Sequence, residues 1–140
     1  MRLTADEAQR RFLGSPIARL ATIAGDGAPR VVPVVFALVD DALVHVVDHK
    51  PKSTPDLARL RDVAAEPRVA LLVDAYDADW TRLWWARADA VAEVVTGGPT
   101  WRRAVAALQQ RYVQYREVPP TGPVVRAVVR RWSGWSASNG

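Results

Sequence analysis

Cysteine is absent from this 140-residue sequence, which excludes disulfide bonds and thiolate metal ligands. No stretch approaches the roughly 20 apolar residues that a membrane-spanning helix needs, and no charged-then-apolar signal segment opens the chain. We therefore expect a soluble, cytoplasmic protein without a membrane span.

The sequence motifs of several enzyme classes are also missing. There is no GxGxxG or Walker motif, no HExxH pair and no GxSxG elbow, and the chain has only two histidines. These absences argue against a Rossmann or P-loop nucleotide site, a metal site and a serine hydrolase. Because the chain offers no obvious acid–base group of its own, we predict no catalytic residue and expect a cofactor to carry any chemistry.

Lysine is scarce, and its placement predicts an anion site. The chain has 19 lysines and arginines and a net charge of +4, yet its only lysines are Lys50 and Lys52. They lie beside His49, Ser53 and Thr54, just before a predicted helix whose first N–H groups attract anions. Capping and solubility are the alternative reasons for such a loop. The arginines are scattered, so nucleic acid is not an expected partner.

The remaining pattern predicts one domain over residues 1–140, mainly β with α. Helices are predicted over residues 4–13, 57–64 and 99–115, and strands over 17–23, 30–39, 42–47, 68–74, 81–95 and 124–132. The start of the second helix is predicted at Thr54 as N-cap, with a proline at the first helical position and an acidic residue in the first turn. The first three strands are interpreted as an antiparallel meander. Together, the predicted helices and strands indicate a six-stranded antiparallel β-barrel with flanking helices.

Two details of the predicted strands bear on a site. Pro33 interrupts the strand 30–39, which indicates an edge position, a bulge, or a place where the backbone meets something other than a strand. From the residues alone, the edge strand is the favoured interpretation. Trp84 and Trp85 are adjacent in the strand 81–95 and must point to opposite faces of it.

Several stretches of the chain also resemble a known family. They are 17–22, 27–34, 49–53, 66–71, 84–90 and 132–135. In order and spacing they resemble the pyridoxamine 5′-phosphate oxidase-like split-barrel family, and within it the branch of deazaflavin-dependent oxidoreductases that use coenzyme F-420.

The resemblance implies an FMN-binding type of split barrel that forms a homodimer, with two cofactors in clefts at the interface. The segment Val32, Pro33 and Val34 is expected to lie along the cofactor ring. The phosphate is expected at the lysine loop, whose candidate residues are His49, Lys50, Lys52, Ser53 and Thr54. The other subunit is expected to contribute Trp85, Arg87 and Trp135.

The function implied by the resemblance is hydride transfer between F-420 and a small organic acceptor. The basic balance of the chain favours F-420 over FMN, because the phosphate and oligoglutamate tail of F-420 carry more negative charge. Arg59 and Arg61 are candidates to meet that tail, although a solvated helix face explains them equally well. An FMN-dependent oxidase or reductase and a non-catalytic flavin carrier are the alternatives.

Overall fold

A computed structural model describes residues 1–48 and 54–138, with the backbone alone for 54–57. The elements in chain order are α1 (Ala5–Leu13), β1 (Ala18–Ile23), β2 (Pro29–Val34), β3 (Ala37–Val39), β4 (Ala42–Val46), α2 (Thr54–Ala65), β5 (Arg68–Ala75), a 3-10 turn (Trp80–Arg82), β6 (Trp84–Val95), α3 (Gly98–Arg111), α4 (Val113–Glu117) and β7 (Val124–Ser136).

The described strands form one antiparallel sheet of seven strands in the order β2-β1-β5-β6-β7-β4-β3. This confirms the mainly β fold with flanking helices. The sheet has one strand more than predicted, because the segment 30–39 is two strands rather than one.

The two edges of the sheet belong to one continuous piece of chain. β2 forms one edge and β3 forms the other, and only Val35 and Phe36 separate them in sequence. Because neighbouring residues lie at opposite edges, the sheet must curl on itself into a barrel. The two antiparallel pairings of the predicted meander both occur, β2 with β1 and β3 with β4, but they lie at opposite edges of the sheet because the segment 30–39 is divided.

The barrel interior is lined by small residues where α1 packs against it. Ala86, Ala88, Ala90 and Ala92 alternate along β6 and are all buried. Phe12 of α1 is inaccessible to solvent within the same core. The alanines leave the room that a helix and its aromatic side chain need for close packing.

A second core lies outside the barrel, beneath α3. Ala104, Val105 and Leu108 pack there against Val44 and Val46 of β4. Every residue of β4 is consequently buried, since one side of the strand faces the barrel and the other faces α3.

The predicted helix over 99–115 is two helices. The backbone of Tyr112 is extended, with φ −122° and ψ 117°, and it ends α3 and precedes α4. Its hydroxyl donates to the carbonyls of Pro16 and Phe36 at 2.8 Å and accepts from the Phe36 N–H at 3.1 Å. These bonds tie the break in the helix to the short connection between the two sheet edges.

Other boundaries differ by a few residues from the predictions. The Thr4 hydroxyl caps α1 by accepting from the Glu7 N–H, as the capping box predicts. The 3-10 turn occupies the predicted start of the strand 81–95, and β7 continues past Trp132 to Ser136. In the described part of the chain, no helix is long and apolar enough to cross a membrane.

Candidate functional site

The sheet has a convex surface that the described residues leave uncovered, formed by β2, β1, β5, β6 and β7. We call it the outer face. Strand register places one row of side chains across it: Pro33, Arg19, Leu72, Arg87 and Ser133. The next row along the strands contains Val31, Ala21, Ala70, Asp89 and Arg131.

The outer face exposes large apolar side chains. Val31 is 64% exposed, Leu72 37% and Trp135 39%. Sequence alternation buries the facing residues of the same strands in the barrel, so these side chains have no place in the core. Exposed apolar and aromatic side chains on three strands of one face, with arginines between them, suit a binding or association surface.

Trp85 and Arg87 form the best-defined pocket on the outer face. With Leu72, Asp74 and Tyr76 they line an open cavity of about 300 Å³. The guanidinium of Arg87 lies 5.5 Å from the centre of the Trp85 ring. Arg87 also forms an ion pair with Asp89, with an N–O distance of 3.3 Å.

Trp135 joins this pocket region through the sheet register. It is the direct cross-strand partner of Trp85, and Ser133 is the partner of Arg87. The structure therefore brings together the three residues assigned to the other subunit by the family resemblance. As predicted, Trp84 points the opposite way and packs against the barrel core.

The segment Val32, Pro33 and Val34 lies on β2, at the edge of the sheet, which agrees with the edge position predicted for Pro33. Only Pro33 presents its side chain on the outer face, because Val34 is buried in the core and Val32 packs against it. The side chain of Val31 also points to the outer face, like that of Pro33, but Val31 was not among the predicted site residues. Strand alternation from Pro33 could have identified it.

The lysine loop falls mostly outside the described residues. His49, Lys50, Lys52 and Ser53 are not described, and Thr54 is the first residue of α2. The helix therefore begins where the proline and acidic residues after Thr54 predict. The free N–H groups of that helix start lie directly after the lysine loop in the chain.

Arg59 and Arg61, the two candidates for the F-420 tail, differ in position on α2. Arg61 is exposed, whereas Arg59 is half-buried and lies close enough to His45 to affect it. Burial, assisted by the positive charge of Arg59, lowers the pKa of His45 to about 3. His45 is therefore a neutral residue of the barrel interior, and Arg59 belongs to its surroundings rather than to a solvated helix face.

An ion pair links α2 to the edge strand. Asp62 is buried, and the Nε of Arg30 on β2 lies 3.0 Å from its Oδ2. This contact couples the helix that follows the lysine loop to the strand that carries Pro33. No cluster of metal-ligating side chains occurs among residues 1–48 and 54–138.

Pro33 and the Trp85–Arg87 pocket share a face but are not neighbours. They are separated by β1 and β5, so Pro33 lies roughly 14 Å from Arg87 across three strand spacings. The arrangement provides an uncovered surface with an edge strand at one side and an aromatic–arginine pocket further across.

Comparison with known proteins places this fold. A FAD-binding protein from Mesorhizobium loti is 21% identical with a TM-score of 0.72, and the match covers 96% of this chain and 95% of that protein. A conserved hypothetical protein from Mycobacterium tuberculosis is 23% identical with a TM-score of 0.74, covering 96% and 86%. The heme storage protein of Vibrio cholerae is 16% identical with a TM-score of 0.70, covering 96% and 95%.

These structures share the split-barrel fold of the chain. A search of the curated proteins gives no match. The sequence model described as pyridoxamine 5′-phosphate oxidase matches residues 4–136, which is nearly the whole chain. The chain therefore belongs to the pyridoxamine 5′-phosphate oxidase family.

Proposed function

We propose that the protein is an F-420-dependent oxidoreductase that transfers a hydride between the deazaflavin and a small organic acceptor. The observation that carries the proposal is the outer face, an uncovered surface with exposed apolar side chains and with the sheet edge at Pro33 on one side. Such a surface suits one side of a planar ring system, in a family whose solved relatives include FAD-binding proteins.

The ring lies along β2, in contact with Pro33 and the backbone of Val32 and Val34. An edge strand has N–H and C=O groups with no strand partner on one side, and these groups suit the polar edge of a heterocycle. The phosphate lies at the start of α2, bound by Lys50, Lys52 and Ser53, with His49 and Thr54 beside them. Helix N–H groups and ammonium groups both favour an anion at that place.

A second copy of the chain completes the site. Pro33, Trp85 and Arg87 all lie on one side of the sheet, so one protomer covers one side of a flat ring and leaves the other side to water. A homodimer formed through the outer face encloses the ring between two surfaces. It also brings Trp85, Arg87 and Trp135 of each copy towards the Pro33 edge of the other.

The bound deazaflavin supplies the hydride chemistry. The residues of the chain bind the cofactor, orient it and exclude water, which is the usual contribution of a protein to cofactor chemistry. This division of labour agrees with the outer face, where Arg87 and Asp89 are paired with each other rather than placed as a free acid or base.

The net charge of the chain favours F-420 as the cofactor. The chain carries a net charge of +4, and F-420 brings a phosphate and an oligoglutamate tail, whereas FMN brings a phosphate alone. FMN is the second candidate, because FAD-binding relatives show that flavins suit this fold.

The phosphate site is tested with a double variant, Lys50→Ala with Lys52→Ala, titrated with F-420 by tryptophan fluorescence. We expect its affinity to fall roughly ten-fold or more, since a charge-assisted hydrogen bond contributes about 1.5–3 kcal/mol. The control is Arg102→Ala with Arg103→Ala on the exposed side of α3, which removes the same charge. An equal loss of F-420 affinity in both double variants would mean that only the net charge of the protein matters. Unchanged F-420 affinity in both would show that the lysine loop does not bind the phosphate.

A further inference from the structure

The end of β4 is fastened to the segment 118–123, which connects α4 to β7. The Val47 N–H donates to the Pro123 carbonyl at 2.7 Å, one residue beyond the last strand pair of β4 and β7. The Asp48 Oδ1 accepts from the Gly122 N–H at 3.2 Å. Two hydrogen bonds to the same segment thus hold the chain where it leaves β4, directly before the lysine loop.

Gly122 is held from its other side as well. Its carbonyl accepts from the Nε1–H of Trp101 on α3 at 2.9 Å, and Trp101 packs against the core beneath that helix. A Cβ on Gly122 would overlap the Val47 carbonyl oxygen, so the two backbones meet without room for a side chain. Both polar groups of Gly122 are therefore used, the N–H by Asp48 and the carbonyl by Trp101.

The segment 118–123 is stiff. Three of its residues are prolines: Pro119, Pro120 and Pro123. Proline fixes φ and leaves the chain few alternative conformations. The segment is therefore a firm support for the Asp48 carboxylate.

The far end of the lysine loop is anchored too. It runs into α2, which begins at Thr54. α2 is tied to β2 by the ion pair of Asp62 with Arg30, and its Val63 belongs to the barrel core. A loop whose two ends are fixed has fewer conformations to lose when an anion binds, which favours binding.

The charge of Asp48 acts against an anion at the neighbouring loop. A carboxylate repels a phosphate, and on charge alone its removal would strengthen phosphate binding. Burial raises the pKa of Tyr115 on α4, and the negative charge of Asp48 adds to this, which agrees with a carboxylate turned towards the segment after α4. The hydrogen bond to Gly122 is therefore the contribution of Asp48 that can favour an anion.

We propose that Asp48 is a positioning residue for the phosphate of the cofactor. Its hydrogen bond to Gly122, which Trp101 holds in turn, fixes the point at which the chain enters the lysine loop. The inference rests on the function proposed above, and it names the described residues that hold the phosphate-binding loop in place.

The test compares two variants that remove the same charge. Asp48→Asn keeps an oxygen acceptor for the Gly122 N–H, whereas Asp48→Ala does not. Each variant is titrated by calorimetry with F-420 and with the deazaflavin that lacks phosphate and tail. The ratio of the two affinities measures what the phosphate-bearing part of F-420 contributes.

We expect this ratio to be roughly five-fold lower in Asp48→Ala than in Asp48→Asn, the effect of one net hydrogen bond. The affinity for the deazaflavin without phosphate should be the same in both. Trp101→Phe, which removes the donor to Gly122, should lower the ratio in the same direction. Asp41→Ala and Asp41→Asn are the matched controls at the other end of β4, where the Asp41 side chain is 70% exposed, and their ratios should be equal.

Equal ratios in Asp48→Ala and Asp48→Asn would overturn the proposal, because the charge of Asp48 would then be its only influence. A loss of affinity by the same factor for both ligands would overturn it as well, since Asp48 would then stabilise the fold without acting on the phosphate.

A second measurement uses the protein without cofactor. We expect the Gly122 amide to exchange its hydrogen faster in Asp48→Ala than in Asp48→Asn, because only the asparagine retains the acceptor. Equal exchange would contradict the hydrogen bond itself. If exchange differs but wild-type protein binds F-420 no better than the deazaflavin without phosphate, the proposed phosphate site is wrong and the inference falls with it. If wild-type protein does prefer F-420 while the two ratios are equal, the positioning role alone is wrong.

Discussion

At the scale of single residues, His45 shows how the barrel treats a polar side chain. It lies in β4 between Leu43 and Val47, which belong to the barrel core, and it is 3% exposed. Its Nε2 has no hydrogen-bond partner among the described residues. Burial and the charge of Arg59 make its protonation costly, so folding holds it neutral.

His45 gives the fold a dependence on pH. Its pKa falls from 6.5 to about 3 on folding, so its contribution is fully present above pH 6.5 and is lost as the pH falls towards 3. Between pH 7 and pH 5 the unfolded chain takes up a proton that the folded protein does not. We predict a loss of about 2 kcal/mol in the free energy of unfolding over this range.

The measurement is urea unfolding at pH 7 and pH 5 for the wild type and for His45→Gln, whose side chain does not titrate. Other groups titrate equally in both proteins, so the difference between the two pH dependences isolates His45. Parallel pH dependences would show that His45 is protonated in the folded state as readily as in the unfolded chain.

Whether a feature could be predicted from the sequence depended on how far apart its residues lie in the chain. Opposite placement of Trp84 and Trp85 followed from strand alternation, because that rule is local. The pocket that Arg10, Arg82 and Ser136 line did not follow, because these residues come from three distant parts of the chain. Only the closure of the barrel brings these residues together.

At the scale of elements, β7 connects the site to the start of the chain. Gly134 pairs with Ala86 on β6, and its carbonyl accepts from the Leu3 N–H at 3.0 Å. A Cβ at this position would lie 2.6 Å from the Trp85 carbonyl oxygen and 2.9 Å from the Leu3 Cδ1. The glycine is therefore required by close approach of two backbones.

We predict that Gly134→Ala lowers the free energy of unfolding by about 1–3 kcal/mol, the usual cost of overpacking. Differential scanning calorimetry measures this loss. Gly25→Ala is the control, because no atom lies within 4 Å of its Cβ. A Gly134→Ala protein as stable as the control would mean that β6 and β7 separate easily at the Trp85–Trp135 pair.

Element boundaries were predictable where local signals existed and not elsewhere. The capping box at Thr4 and the proline after Thr54 located the starts of α1 and α2. The division of the segment 30–39 was missed, because its apolar residues continue without a turn signal. A tertiary contact separates β2 from β3 there, because Tyr112, which lies between α3 and α4, hydrogen-bonds to the backbone of Phe36.

At the scale of the whole molecule, the outer face is the largest feature that the barrel leaves unexplained. In a single copy of the chain, the exposed apolar side chains of Val31, Leu72 and Trp135 add little to the stability of the fold. The proposed dimerisation through this face would account for them. The dimer remains a prediction from the family resemblance, since strand patterns alone cannot distinguish a partner-facing surface from a solvated one.

We predict that Leu72→Arg converts the proposed dimer to a folded monomer, because it adds a third positive charge between Arg19 and Arg87 at the centre of the outer face. Light scattering coupled to size-exclusion chromatography gives the mass. Val113→Arg on α4, also at an exposed apolar residue but away from the outer face, should remain a dimer. A wild-type protein that is already monomeric would contradict the interface.

The most direct measurement is a parallel titration of the purified protein with F-420 and with FMN, followed by tryptophan fluorescence and calorimetric stoichiometry. We predict one F-420 per chain, bound at least roughly ten-fold more tightly than FMN, a difference of about 1.4 kcal/mol. Tighter binding of FMN would change the cofactor and the enzyme class while keeping the site. Binding of neither would contradict a flavin-type redox function for this chain.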